Sequence, residues 1–263
     1  RKMAPIASSG AAILLHGNLD GSATSWLEAN WMFLSLTFAI VGLGALAVQY
    51  PNRDPMWHGW LAPVMYCIHQ TEEHAYDFRG WHYSFVPYLN EGFIGRAFAA
   101  ACPDGEISCP MDPKMTLFVN AGAIWVGFGG CMLAAAVNPR FVFAGYLCWG
   151  TAIVNGLFGH LLPALLTLSY NPGCVQSAVM VPLGVYVISR SQRPKLCVAN
   201  GFLFHAIAFG MGLNVILRAR APEAAVAVIT VVMALLVPLA IAWRVDHPRD
   251  KFRPLFSDDS RLI

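Results

Sequence analysis

The stretch Trp31 to Val48, WMFLSLTFAIVGLGALAV, is eighteen residues without a single charge. As a helix it would rise about 27 Å, close to the roughly 30 Å hydrocarbon thickness of a bilayer. Backbone groups in lipid must find their partners within their own segment, so such a run reads as a transmembrane helix. Ser25 is placed to cap its start, and Tyr50-Pro51 ends it. The rest of the chain agrees: 57% of the 263 residues are hydrophobic and 12% are charged, against about 25% charged in a soluble chain. That is too little polar surface to clothe a water-soluble body.

Working outward, six more apolar runs follow. The second goes from about Trp57 into His69. The third is Thr116 to about Val137, stopped by Asn138-Pro139, and the fourth is Phe141 to about Leu168, with Pro163 inside it. After the tight turn Asn171-Pro172-Gly173 come Val175 to about Ile188, Cys197 to about Leu217, and Ala224 to Trp243. The expected fold is therefore all-α, a polytopic transmembrane helical bundle of about seven spans. Residues 1–30 read as an N-terminal extension with an interfacial segment, since Met3–Leu15 is too short and weakly apolar to cross. Residues 31–243 form the transmembrane domain, and residues 244–263 a charged tail. Within the domain, residues 77–114 form a loop with five aromatics between Phe78 and Tyr88, a composition suited to the membrane interface.

With seven spans the Lys and Arg residues divide ten to seven in favour of the C-terminal side, which is therefore expected to be cytoplasmic. A net charge of +2 with no basic-aromatic patch excludes nucleic acid as a partner. The expected partners are membrane lipids and other membrane subunits. Of the seven cysteines, Cys67, Cys131, Cys148 and Cys197 sit in or beside apolar runs and read as small buried hydrophobes. Cys102 and Cys109 bracket a polar stretch and are spaced for a disulfide in an oxidising compartment.

The second run ends unlike the others, in His69-Gln70-Thr71-Glu72-Glu73-His74. A charged residue at a membrane helix centre costs roughly 2.5–3.5 kcal/mol on insertion scales, so a group of them demands a reason. On an α-helix His69, Glu72 and Glu73 stand at i, i+3 and i+4 and share a face, Tyr76 extends the stripe, and His74 points elsewhere. Runs two and four point the same way, so Glu28, Asn120, Asn155 and His160 fall in the same half of the bundle. Ala152, Gly156 and Gly159 would let the fourth helix approach a neighbour closely. His205 and His58 read as a hydrogen-bonded membrane histidine and an interface residue, Asn200 and Asn214 as interhelical contacts.

This group admits three chemistries: a divalent metal site on His69, Glu72, Glu73 and His160, a general acid/base set that also uses Asn155, or a proton or cation relay. His69-Gln70-Thr71-Glu72-Glu73 resembles the signature of the HXXEE-motif family of membrane proteins. A second block, from Asn155 through His160 to Tyr170-Asn171-Pro172-Gly173, resembles that family's later Asn/His segment and its aromatic-x-Pro-Gly turn. The two blocks lie within about residues 57–190. The resemblance implies that His69, Glu72, Glu73, Asn155 and His160 are the family's distinctive positions, and it carries no activity. The loop 77–114 and the seventh span depart from a shorter family core.

Two functions follow as expectations. One is a membrane-embedded enzyme acting on a lipid- or isoprenoid-like substrate by metal-assisted or acid/base chemistry. The other is a non-catalytic accessory subunit of a membrane complex, its polar cluster self-satisfied or holding a structural ion. A small proton or cation transporter is a third, without arginine-rich or paired broken helices to support it.

Overall fold

Apolar helices dominate the computed structural model, which describes residues 23–50, 55–92, 95–96, 102, 110–212 and 224–245. Met3–Leu15, Cys109, Asn214 and most of the charged tail lie outside the described residues. Helix α1 is Ala23–Gln49. Helix α2 is Pro55–Gln70 and continues as a π-helical turn, Thr71–Ala75. The short α3 is Phe85–Glu91. Helix α4 spans Pro113–Val137, α5 spans Pro139–Thr167, and α8 spans Ala224–Val245. Helix α6 is Cys174–Ser189. Helix α7 is Pro194–Phe204, continued by a π segment, His205–Met211.

Helices thus stand at all seven expected places. Four of them, α4, α5, α8 and the Trp26–Gln49 part of α1, are both long and apolar enough to cross a membrane. Helix α6 is apolar but short, and α2 is diluted by its polar end. The expected count of seven spans therefore goes beyond the four that length and composition establish. Helix α1 also begins before Ser25, because hydropathy locates the lipid-buried part of a helix rather than its first hydrogen-bonded turn. The outer faces carry exposed Ile40, Val41, Leu133, Val179 and Val228, an apolar surface that suits lipid and not water.

Close backbone approaches fix the core. A Cβ added at Gly201 on α7 would collide with the Gly150 carbonyl on α5, and one added at Gly150 with the Cys197 carbonyl. Helices α2 and α5 cross where Gly59 and Gly145 meet; a Cβ on Gly145 would come 2.8 Å from the Gly59 Cα. Trp149 Nε1 donates to the His58 carbonyl at 2.8 Å, and the His58 side chain is buried. Of the expected small-residue stripe, Gly156 meets α6, where a Cβ would come 2.7 Å from Val181. Asn200 ties α7 to α5 through the Leu147 carbonyl and Thr151.

The described part of the segment after α2 has structure of its own. Tyr76 leaves the helix in extended conformation and pairs with His82 in a small hairpin, which ends the expected stripe. Phe78 and Trp81 are exposed, while Val86, Leu89 and Met111 are buried, and Asn90 binds Met111 through both its amide atoms. Cys102 is disulfide-bonded.

Candidate metal centre

The end of α2 changes its winding within the motif. The Tyr76 amide donates to the Thr71 carbonyl, five residues back, at 3.2 Å. An i→i+5 turn is wider than an α-turn and rotates less per residue, so i+3 falls short of the face of residue i and i+5 comes back toward it. Glu72 and Glu73 therefore part company, and His74 returns to the group. The expectation that Glu72 shares the His69 face, and that His74 leaves it, assumed α-helical winding and is corrected by the π turn.

Glu73 turns inward. Its Oε1 lies 3.4 Å from His69 Nε2 and 3.0 Å from His160 Nε2, and the two Nε2 atoms are 3.2 Å apart. All three residues are buried, at 0%, 4% and 0% exposure for His69, Glu73 and His160. Glu73 Oε2 lies 3.5 Å from His74 Nε2. Glu72 serves another purpose. Its Oε1 accepts from the Tyr170 hydroxyl at 2.7 Å and the Val175 amide at 3.2 Å, and its Oε2 accepts from the Gln176 amide at 2.7 Å. It sits on the N-terminus of α6, where free amides and the helix dipole favour a carboxylate. The structure thus does not bring Glu72 to the other three as a ligand.

The turn Tyr170–Gly173 grips the site from the far side. Tyr170 receives the Phe78 amide at 3.1 Å while donating to Glu72. Burial raises the Tyr170 phenol above its ordinary range, so it remains a donor. Arg79 lies over the Trp81 and Tyr170 rings and binds Asp77 at 2.7 Å. Burial pushes the Asp77 carboxyl up, but the Trp81 and Arg79 amides and the guanidinium together hold it below the usual range. Asn171 Nδ2 donates to the Gly159 carbonyl at 2.9 Å, which turns its Oδ1 toward His160 Nδ1 at 3.0 Å; the Pro172 carbonyl is 2.7 Å from the same nitrogen. Both partners accept, so Nδ1 carries the hydrogen and Nε2 faces the site. Gly173 has φ +93°, and a Cβ there would lie 2.7 Å from His160 Nδ1 and 2.8 Å from His69 Cε1; only glycine fits against both rings.

A polar chain continues from the cluster. Asn155 Nδ2 lies 3.1 Å from His69 Nε2 and 3.3 Å from His160 Nε2, and its Oδ1 lies 3.4 Å from His205 Nε2. On the other side Asn120 reaches His74 at 3.5 Å and accepts from Gln70 at 3.0 Å; Gln70 in turn accepts from Ser35 at 2.9 Å. Gln70 and Asn171 lie within the two motif blocks without a role read for them in the sequence, and Ser35 stands outside both. Glu28 is half-buried on α1. Among the described residues His69 Nδ1 and His74 Nδ1 have no hydrogen-bond partner.

Winding and chemistry coincide. Of the five π segments among the described residues, one holds Glu73 and His74, one follows Asn120, one runs from Asn155 through His160, and one begins at His205. Such segments are frequent at functional sites, because an inserted residue re-aims side chains within a helix.

The family model described as a protein of unknown function with HXXEE motif matches residues 60–187. Over that segment the chain is similar to the HXXEE-motif family. No curated protein and no solved structure matches the chain. In structural terms the first His and second Glu of the HXXEE motif, His69 and Glu73, face His160, while its first Glu, Glu72, caps α6. Both blocks of the HXXEE segment thus close on one point.

Proposed function

We propose that this protein is an integral membrane protein of about seven helices that binds a divalent transition-metal ion through His69, Glu73 and His160. It uses that ion as an enzyme on a lipid- or isoprenoid-like substrate. One observation carries the reading: three donor atoms from α2 and α5 converge with separations of 3.0, 3.2 and 3.4 Å. Donors 2.0–2.1 Å from an ion stand about 3.0 Å apart at right angles and about 3.4 Å apart at the tetrahedral angle. Among the described residues this trio is the group of His, Cys, Asp and Glu side chains spaced to hold an ion. With its hydrogen on Nδ1, His160 turns Nε2 to the Glu73 carboxylate at 3.0 Å, a contact that a cation or a second ring proton between the two atoms satisfies. The Nδ1–H of His160 on the Pro172 carbonyl is the backing a ligand histidine usually has.

Two histidines and one carboxylate leave coordination positions for a substrate, which the ion would polarise as a Lewis acid. A lipophilic substrate suits the apolar outer surface through which it must arrive. The Lys/Arg balance places the C-terminus in the cytoplasm in this reading.

The near-complete burial of all three donors favours a second reading, an accessory subunit whose ion is structural. Metal analysis of the purified protein, paired with lipid profiles of cells carrying wild type or Glu73→Gln, tests both. The enzyme reading expects bound metal and a lipid species that accumulates in the variant. Metal with unchanged lipids, and a fold that melts on chelation, would support the accessory role. Folded wild type without metal would refute both.

A further inference from the structure

Asn155 occupies a position that the three ligands leave open, and its neighbours decide which of its amide atoms faces them. His205 Nδ1 lies 2.7 Å from the Gly201 carbonyl, an obligatory acceptor, so Nδ1 carries the hydrogen. The Nε2 of the neutral ring is then an acceptor. Asn155 Oδ1 stands 3.4 Å from that Nε2, which sets two acceptors against each other. The amide oxygen and nitrogen have the same shape, so their hydrogen-bond partners settle which is which. Turning the amide by 180° makes Nδ2 donate to His205. It also puts Oδ1 at the point 3.1 Å from His69 Nε2 and 3.3 Å from His160 Nε2. Those separations match the spacing within the trio and are those of another donor around the same ion. An amide N–H there would point at a cation; an amide oxygen would bind it.

We infer that Asn155 Oδ1 is a fourth protein ligand to the ion, and that His205 is the positioning residue that holds this oxygen turned inward. The inference rests on the metal reading above. It gives the ion an N₂O₂ protein set from α2 and α5, and leaves open positions only if the ion is five- or six-coordinate. It also explains why a π segment begins at each of these two residues: the wider turn aims Asn155 across to α2 and His205 across to Asn155.

The test uses the full-length protein in detergent with Co²⁺ as the probe, read by visible absorption and competition titration. Asn155→Leu, close in size but without a donor, is expected to weaken Co²⁺ binding by at least the roughly 10–100-fold that loss of an outer-shell partner costs and to shift the ligand-field bands. Asn155→Asp should keep both. His205→Ala should weaken binding about 10-fold in the wild-type background. In the Asn155→Asp background it should cost nothing further, because both carboxylate atoms are oxygens and orientation no longer matters. A merely structural His205 would cost the same in both backgrounds, and that outcome would overturn its role. Wild-type affinity and spectrum in Asn155→Leu would overturn the fourth ligand. If Asn155→Leu does not fold, the His205 comparison in the two backgrounds decides alone. Wild type that is folded but binds no Co²⁺ would remove the metal reading itself; binding lost in Glu73→Gln yet indifferent to residue 155 would remove only this inference.

Discussion

His69 Nε2 and His160 Nε2 stand 3.2 Å apart, although 91 residues separate them in the chain. The contact exists because α2 and α5 approach backbone to backbone at Gly59 and Gly145, and because Gly173 leaves room for both rings. Each feature of this arrangement has a measurable consequence.

The two glutamates of the motif should behave differently. If the trio holds the proposed ion, Glu73→Gln should abolish stoichiometric metal, as should His69→Ala and His160→Ala. Glu72→Gln should keep the metal and lower stability by about 1–3 kcal/mol, the range for weakening hydrogen bonds to a buried charge. Metal content and thermal unfolding in detergent separate the two effects. Equal metal loss in both variants would mean that Glu72 is also a ligand.

Gly173→Ala should be among the most damaging small substitutions in the chain. The residue has φ +93° and its new methyl would press on both histidine rings. Backbone strain alone costs about 1–3 kcal/mol, and the displaced rings should lose metal as well. A variant with native melting temperature and full metal would contradict the packing described.

Tyr170→Phe removes the hydroxyl that joins the Phe78 amide to Glu72 without touching His69, Glu73 or His160. A loss of about 1–2 kcal/mol is expected, with metal retained and faster amide hydrogen exchange in residues 76–82. Exchange unchanged from wild type would show that the hairpin is held by other contacts.

Acid should loosen the same hairpin. Asp77 has its carboxyl held below the usual range, so its contribution is complete above the unfolded value of about 3.9. It is lost as pH falls through the lower folded value. Hydrogen exchange at Arg79 and Trp81, whose amides bind Asp77 Oδ1 at 2.8 and 2.9 Å, should therefore accelerate below about pH 4 beyond what the intrinsic rate requires. Asp77→Asn should show that loosened state already at neutral pH.

Much of this protein was legible from hydropathy alone. The helices fall where the apolar runs fall, and the stops at Asn138-Pro139 and Asn171-Pro172-Gly173 are where the chain turns, because a backbone in apolar surroundings closes its hydrogen bonds within its own helix. The motif residues His69, Glu73, Asn155 and His160 could be picked out for a related reason: polar groups are costly in an apolar run and stand out against it. What the sequence alone left open was which atoms meet. Glu72 and Glu73 are adjacent and chemically identical, yet one caps α6 and the other faces two histidines. The difference comes from a π turn that no 3.6-residue periodicity can register. His205 looked like a lone histidine until α7 packed against α5, and Gly173 looked like an ordinary turn glycine until two rings from distant helices closed over it. Local composition determined where helices form. Winding and interhelical packing, which depend on contacts far apart in sequence, decided the site.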